Sequence, residues 1–156
     1  MCDTFPETPH RSPISIIGCG CLERGDDAAG ILVARRLRAM GVDAVEQEGL
    51  FELAAADNVV IIDAMVSGAA PGTIRVWDDL SWKPLAEIRL RASTHGFGVA
   101  EALDLACALN RLPRRLRIVG IEGARFETGA PVSPDVSKGI TTVVDQVARW
   151  ALAASR

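Results

Sequence analysis

Short runs of consecutive apolar residues alternate along this chain with longer segments in which apolar positions recur every three or four residues. The run "ISIIGCG" (14–20) comes first, and Asp27 to Met40 follows with Ile31, Val33, Leu37 and Met40 spaced for one helix face. After "VDAVEQ" and a short apolar piece at Leu50 to Ala56 come "NVVIIDAM" (58–65), "GTIRVWD" (72–78), a helix from about Gly98 to Leu109, "LRIVGIE" (116–122) and a last helix around Ser137 to Ala154. This order is mostly β-α-β, which predicts an α/β fold: an open, mostly parallel sheet with helices on both faces. The pieces "SIIG", "VVIID" and "RIVGI" are apolar at successive positions, as strands covered on both faces require. One element departs from the pattern. "GTIRVWDD" follows "SGAAPG" after a connection too short for a helical crossover, so it is expected to run antiparallel at or near an edge.

With 156 residues, 49% of them hydrophobic, the chain can bury a single core. Residues 1–13, rich in Pro and Thr, read as a flexible leader, and 14–156 as one domain. The leader has no apolar h-region, and no segment approaches the ~18 uninterrupted apolar residues of a membrane helix. A cytoplasmic protein with no membrane partner is therefore expected, and its four cysteines should remain free thiols. A net charge of −3 argues against a nucleic-acid surface, which needs clustered cations in excess. The basic stretch "RLPRRLR" (111–117) reads as a solvated helix-to-strand connection.

The stretch "GCGCLERGDDAAG" (18–30) joins the first strand to the first helix, where a glycine-rich turn usually cradles phosphate. Here the spacing fails the G-x-G-x-x-G fingerprint, and Glu23, Asp26 and Asp27 would repel a pyrophosphate. One of the paired aspartates has an ordinary use as a helix cap. The other is left over, at the carboxyl edge of the sheet.

Two further residues belong to the same edge. Asp63 ends the run "NVVIID", so it is expected to emerge at the carboxyl end of a buried strand, in a turn or bound to a cation. His95, in the glycine-flanked loop "RASTHGFG", stands just before a helix. Taken singly, each also suits a turn or a surface loop. Together, two carboxylates and an imidazole on one rim would form a borderline divalent-metal site with open positions. Cys19 and Cys21, at i and i+2, would share a face if the strand stayed extended through both; Cys19 reads best as small buried packing.

Taken in order, "GCGCLERGDDAAG", "VVIIDAM", "STHGFGVAEALDLA", "RIVGIE" and "VSPDV" resemble the maturation endopeptidases of nickel-iron hydrogenases, from Ile14 to the C-terminus. The resemblance implies a phosphorylase/hydrolase-like sheet and a cytoplasmic peptidase. Such an enzyme clips a C-terminal extension from the hydrogenase large-subunit precursor once nickel is in place. It also implies that Asp27, Asp63 and His95 are the catalytic and metal-contacting residues, with nickel supplied inside the precursor. The chain departs from the family's usual turn, with Cys21 in place of Asn and Leu22-Glu23 in place of Pro-Leu. The stretch between Gly49 and Asn58 is shorter than usual, and Gly123 stands where Pro often follows "GIE". No G-x-S-x-G elbow or Ser-His-Asp order is present, so metal-activated water and carboxylate-assisted attack both stay open. A maturation factor that binds metallated precursor without cutting it, and a small-ligand or nucleotide module, remain the alternatives.

Overall fold

A computed structural model describes residues 13–48, 56–78 and 99–156. Five strands form one sheet: β1 (Ile14–Gly20), β2 (Val45–Glu48), β3 (Asn58–Met65), β4 (Ile74–Trp77) and β5 (Arg115–Glu122), in the order β2-β1-β3-β5-β4. Every pairing is parallel except that of β4 with β5, where Ile74 faces Ile121 and Trp77 faces Ile118. The short connection from β3 to β4 thus produces an antiparallel edge strand, as its length demands.

Among the described residues three helices cover the sheet: α1 (Ala29–Ala39), α2 (Val99–Ala108) and α3 (Pro134–Ala154). The strands alternate sides residue by residue, and both sides are apolar. Ile16, Val60, Ile62, Val119 and Ile121 pack under α1 and α3, while Ile17, Cys19, Val59, Ile61 and Ile118 pack under α2. Two covered faces explain why these strands read as unbroken apolar runs.

Some boundaries differ from the periodicity. The first helical segment opens with a 3-10 turn, Gly25–Ala28, before α1 begins. The last helix starts at Pro134, because a proline lacking an N–H is well placed in a first helical turn and Ser133 is the N-cap. Of the expected apolar piece at 50–56, only Ala56 falls among the described residues, and residues 1–12 of the expected leader lie outside them. The basic connection is solvated at Arg111, Arg114 and Arg115, whereas Arg117 is half-buried, pairs with Asp78 and stacks over the Trp150 ring at 3.8 Å.

The order of the strands fixes where a ligand belongs. From β1 the chain goes to β2 on one side and then to β3 on the other, so the loops leaving β1 and β3 diverge to opposite sides. An open α/β sheet binds its ligand in the crevice that this divergence leaves at the carboxyl ends.

Candidate active site at the carboxyl ends of β1 and β3

β1 stops at Gly20, whose φ of +145° belongs to the region that favours glycine. A Cβ at Gly20 would lie 1.8 Å from the carbonyl oxygen of Asp27, so the turn can fold back on the strand only without a side chain there. The Cys21 amide then donates to that carbonyl at 3.2 Å. Gly18 and Gly30 do a related job. A Cβ on Gly18 would lie 2.1 Å from the Gly30 carbonyl oxygen, and one on Gly30 would lie 2.2 Å from that of Ile62 and 2.3 Å from that of Cys19. The glycines bring α1 down onto the backbones of β1 and β3; close packing, not a phosphate, is what they serve.

The two aspartates divide their work differently from the capping expectation. Neither the 3-10 turn nor α1 has a side-chain cap. Asp26 is fully buried and reaches across to the segment before α3. Its Oδ2 accepts the amides of Ala124 and Arg125 at 2.8 and 2.9 Å and the Ser133 hydroxyl at 2.8 Å, and its Oδ1 accepts the Ser133 amide at 2.6 Å. Burial alone would raise its pKa, but the donated hydrogen bonds outweigh it and hold the carboxyl below its ordinary value. This anchoring belongs to Asp26 and not to Asp27, the second acid of the pair.

Asp27 is buried, and so is Asp63. Asp63 does not emerge from its strand as expected. β3 continues through Ala64 and Met65, with Asp63 level with Gly120 of β5, so the carboxyl is held inside the sheet. The Ala64 amide donates to its Oδ1 at 2.8 Å. Burial first, and the charge of Asp27 second, push the Asp63 carboxyl well above the usual carboxylate range. A carboxyl so placed is most easily accommodated with a proton or beside a cation.

Asp63 continues the alternation of Val59 and Ile61, which pack under α2, so it belongs to the side of the sheet that α2 covers. The amino end of α2, Val99, lies in the same apolar cluster as Cys19. His95, four residues earlier in sequence, lies outside the described residues. Two of the three expected ligands are thus described, both buried, with Asp63 within reach of the charge of Asp27. Among the described residues no group of three or more His, Cys, Asp or Glu is disposed to hold a metal ion.

The thiols part company. Cys19 is buried in the core under α2, where burial and then the charge of Asp63 raise its pKa well above the ordinary value. Cys21 lies beyond the turn at Gly20, so the alternation that would have aligned the two sulfurs ends before it. It sits beside Glu48, the last residue of β2, which also accepts the Leu22 amide at 3.2 Å.

A buried acid at the end of β5 was overlooked in the sequence. Glu122 is buried at the end of β5 and accepts the Ser67 amide at 2.9 Å, the Ser67 hydroxyl at 2.7 Å and the Gly68 amide at 3.1 Å. It holds the loop that leaves β3 after Asp63. Its signature was an acid at the end of the apolar run "RIVGIE", the same pattern that marked Asp63.

A model of the hydrogenase maturation protease family, HycI, matches residues 41–150. The chain belongs to the hydrogenase maturation protease family. Among solved structures it is similar to the hydrogenase maturating endopeptidase HybD from E. coli, with 25% identity and a TM-score of 0.71 over 86% of this chain and 89% of that one. An endopeptidase from Escherichia coli solved in solution gives 25% identity and a TM-score of 0.74, covering 91% of each chain. The fold alone is shared with a NiFe hydrogenase maturation protease, HybD from Thermococcus kodakarensis, at 22% identity and a TM-score of 0.69 over 89% and 99% of the two chains. The hydrogenase expression/formation protein HupD of Thiocapsa roseopersicina is 30% identical over 97 residues, which is 61% of this chain and 43% of that protein. HupM of Azotobacter chroococcum mcd 1 is 36% identical over 72 residues, 46% of this chain and 34% of that protein. The match therefore spans less than half the length of these curated relatives. Among the described residues no helix is long and apolar enough to cross a membrane.

Proposed function

We propose that this chain is a cytoplasmic endopeptidase that removes a C-terminal extension from the large-subunit precursor of a nickel-iron hydrogenase after nickel insertion. Asp27, Asp63 and His95 are its catalytic and metal-contacting residues. The observation that carries the reading is a buried Asp63 that feels the charge of a buried Asp27, near where the loops leaving β1 and β3 diverge, in a chain of the maturation protease family.

The nickel belongs to the substrate, held by the precursor's own thiolates. The donor set suits it: two carboxylates from separate elements, one imidazole and open positions are what a borderline divalent cation accepts. Bound at the rim, the ion would supply the positive charge that fixes the precursor there. Asp27 and Asp63 would orient the arriving chain and complete the shell with oxygen, and His95 would add a ring nitrogen. Without the ion, burial and the charge of Asp27 favour a proton on Asp63, and that proton must leave before its carboxylate can serve as a ligand. A nickel-free precursor offers no charge to displace it, so docking itself reports on metal insertion.

The test is incubation of the purified chain with nickel-loaded and nickel-free precursor, followed by the mass of the large subunit. Loss of the extension only from the loaded form is expected. A loaded precursor that is bound but never shortened would make the chain a non-catalytic maturation factor, and tight nucleotide binding with no precursor binding would make it a ligand module.

A further inference from the structure

At the carboxyl edge of the sheet lies an open cleft of about 650 Å³ lined by Arg24, Val66, Gly123, Ala124, Phe126 and Glu127. It is assembled from the three loops that build the site. Arg24 precedes Asp27 in the turn after β1, Val66 is the first residue beyond β3, and Gly123 is the first beyond β5. Val66, Ala124 and Phe126 give it apolar surface, and Arg24 and Glu127 add one residue of each charge.

Val66, the first residue beyond β3, is 48% exposed, whereas its neighbour Met65 is 1% exposed. Facing solvent, a valine here contributes nothing to the core. The opposite wall is built to stay in place. The Gly123 amide donates to the Met65 carbonyl at 3.0 Å, which ties the end of β5 to the end of β3. A Cβ on Gly123 would lie 2.5 Å from the Cζ of Phe126, so the ring occupies the space that this glycine leaves. The Asp26 carboxylate gathers the amides of Ala124, Arg125 and Ser133, and the Asp26 amide donates to the Arg125 carbonyl at 2.7 Å. The Gly129 amide donates to the Glu23 carbonyl at 2.7 Å, and Arg24 Nε donates to the Phe126 carbonyl at 3.3 Å. The wall is thus fixed to the turn that carries Asp27, which is the preorganisation a binding cleft needs.

From these observations we infer that the Val66–Phe126 cleft is a substrate subsite, taking an apolar side chain of the precursor polypeptide near the bond to be cut. This rests on the peptidase reading above and deepens it. Val66 lies three residues beyond Asp63, which at about 3.3 Å per residue of strand is on the order of 10 Å. An extended peptide advances by nearly the same length per residue. The side chain seated in the cleft is therefore about three positions from the bond lying over the carboxylates. A polypeptide is the occupant because the cleft is built from the loops that leave β1, β3 and β5, is shallow and is flanked by charges of both signs. That suits an apolar residue between polar neighbours, and not a compact, fully enclosed ligand.

The test uses the full chain, nickel-loaded precursor and steady-state cleavage read by mass. Val66→Glu places a charge at an already exposed position, so the fold is retained. It should raise KM about tenfold or more with kcat within about twofold, as expected when ground-state and transition-state binding are lost together. Val66→Leu should restore KM to the wild-type value. Phe126→Ala, with its melting temperature measured alongside, should raise KM likewise. If wild type cleaves and Val66→Glu leaves KM unchanged, the subsite is overturned while the peptidase reading stands. Absence of cleavage by wild type would overturn both.

Discussion

Replacing Asp26 by Asn, a change of one atom, probes the anchor that separates the two aspartates of the turn. Oδ2 accepts three hydrogen bonds and Oδ1 accepts one. An amide placed with its oxygen at the Oδ2 position keeps the three, but as neutral bonds. A bond to a charged acceptor is worth about 1.5–3 kcal/mol and one to a neutral acceptor about 0.5–1.5, so each loses about 1. Its NH2 group meanwhile faces the Ser133 amide, and a buried donor left without an acceptor costs about 1–3 kcal/mol more. Ala124 and Arg125 lie at exposed positions where water can replace part of the loss. A net destabilisation of about 3 kcal/mol follows, which at about 2–4 °C per kcal/mol for a chain of this size lowers Tm by about 6–12 °C. The pH dependence has a fixed sign. The folded-state pKa of Asp26 lies below its unfolded value, so its contribution is fully present above the unfolded value, about 3.9, and is lost as pH falls through the folded one. The assay is a pair of thermal melts, wild type and Asp26→Asn, from pH 7 downward. The gap should be widest at neutral pH and narrow progressively below about pH 4. A gap under about 1 °C at pH 7, or one that stays constant into acid, would refute the reasoning.

Other outcomes follow from the same contacts. Gly30→Ala, which sets a methyl 2.2 Å from the Ile62 carbonyl oxygen and 2.3 Å from that of Cys19, should shift α1 off the sheet and yield little folded protein; a circular dichroism melt like that of wild type would count against the close approach. Asp63→Asn and His95→Ala should each retain the fold and abolish processing of nickel-loaded precursor, and full cleavage by either variant would remove that residue from the mechanism. Glu122→Gln with its oxygen at the Oε1 position keeps the Ser67 and Gly68 amides but only as bonds to a neutral acceptor, so a loss of about 1–2 kcal/mol is expected by urea denaturation, and no change would show that the charge of Glu122 does not hold the loop after β3. Affinity for loaded precursor should weaken below about pH 6 as the imidazole protonates, and a profile flat from about pH 5 to 8 would exclude His95 as a ligand.

The fold was legible because its causes are local. Apolar residues at consecutive positions in "NVVIID" and "RIVGI" already state that both faces of β3 and β5 are covered, and the short link before "IRVW" already forces the antiparallel edge. The site was legible only as a set of loose acids, since spacing could say that Asp27 and Asp63 share an edge but not that each would feel the other's charge. What the sequence hid is tertiary. Asp26 looked like a helix cap because a cap is the nearest use for such a residue, and its actual partners lie 98 to 107 residues away. Asp63 looked like a residue leaving its strand, because no local rule places a carboxyl within a sheet where a second acid can make use of it. Gly18 and Gly30 likewise looked like a phosphate turn with the wrong spacing. The backbone contact that requires them exists only once α1 has docked.

The central claim is that Asp27, Asp63 and His95 converge on one cation position and complete the shell of a nickel ion that the precursor brings. Nickel X-ray absorption of loaded precursor, before and after mixing with the chain, tests this most directly. The account expects oxygen and nitrogen neighbours to join the thiolate shell on mixing, and expects them to be absent when the Asp27→Asn, Asp63→Asn double variant is used. A nickel shell unchanged by wild type, in a mixture where the extension is nevertheless removed, would contradict it.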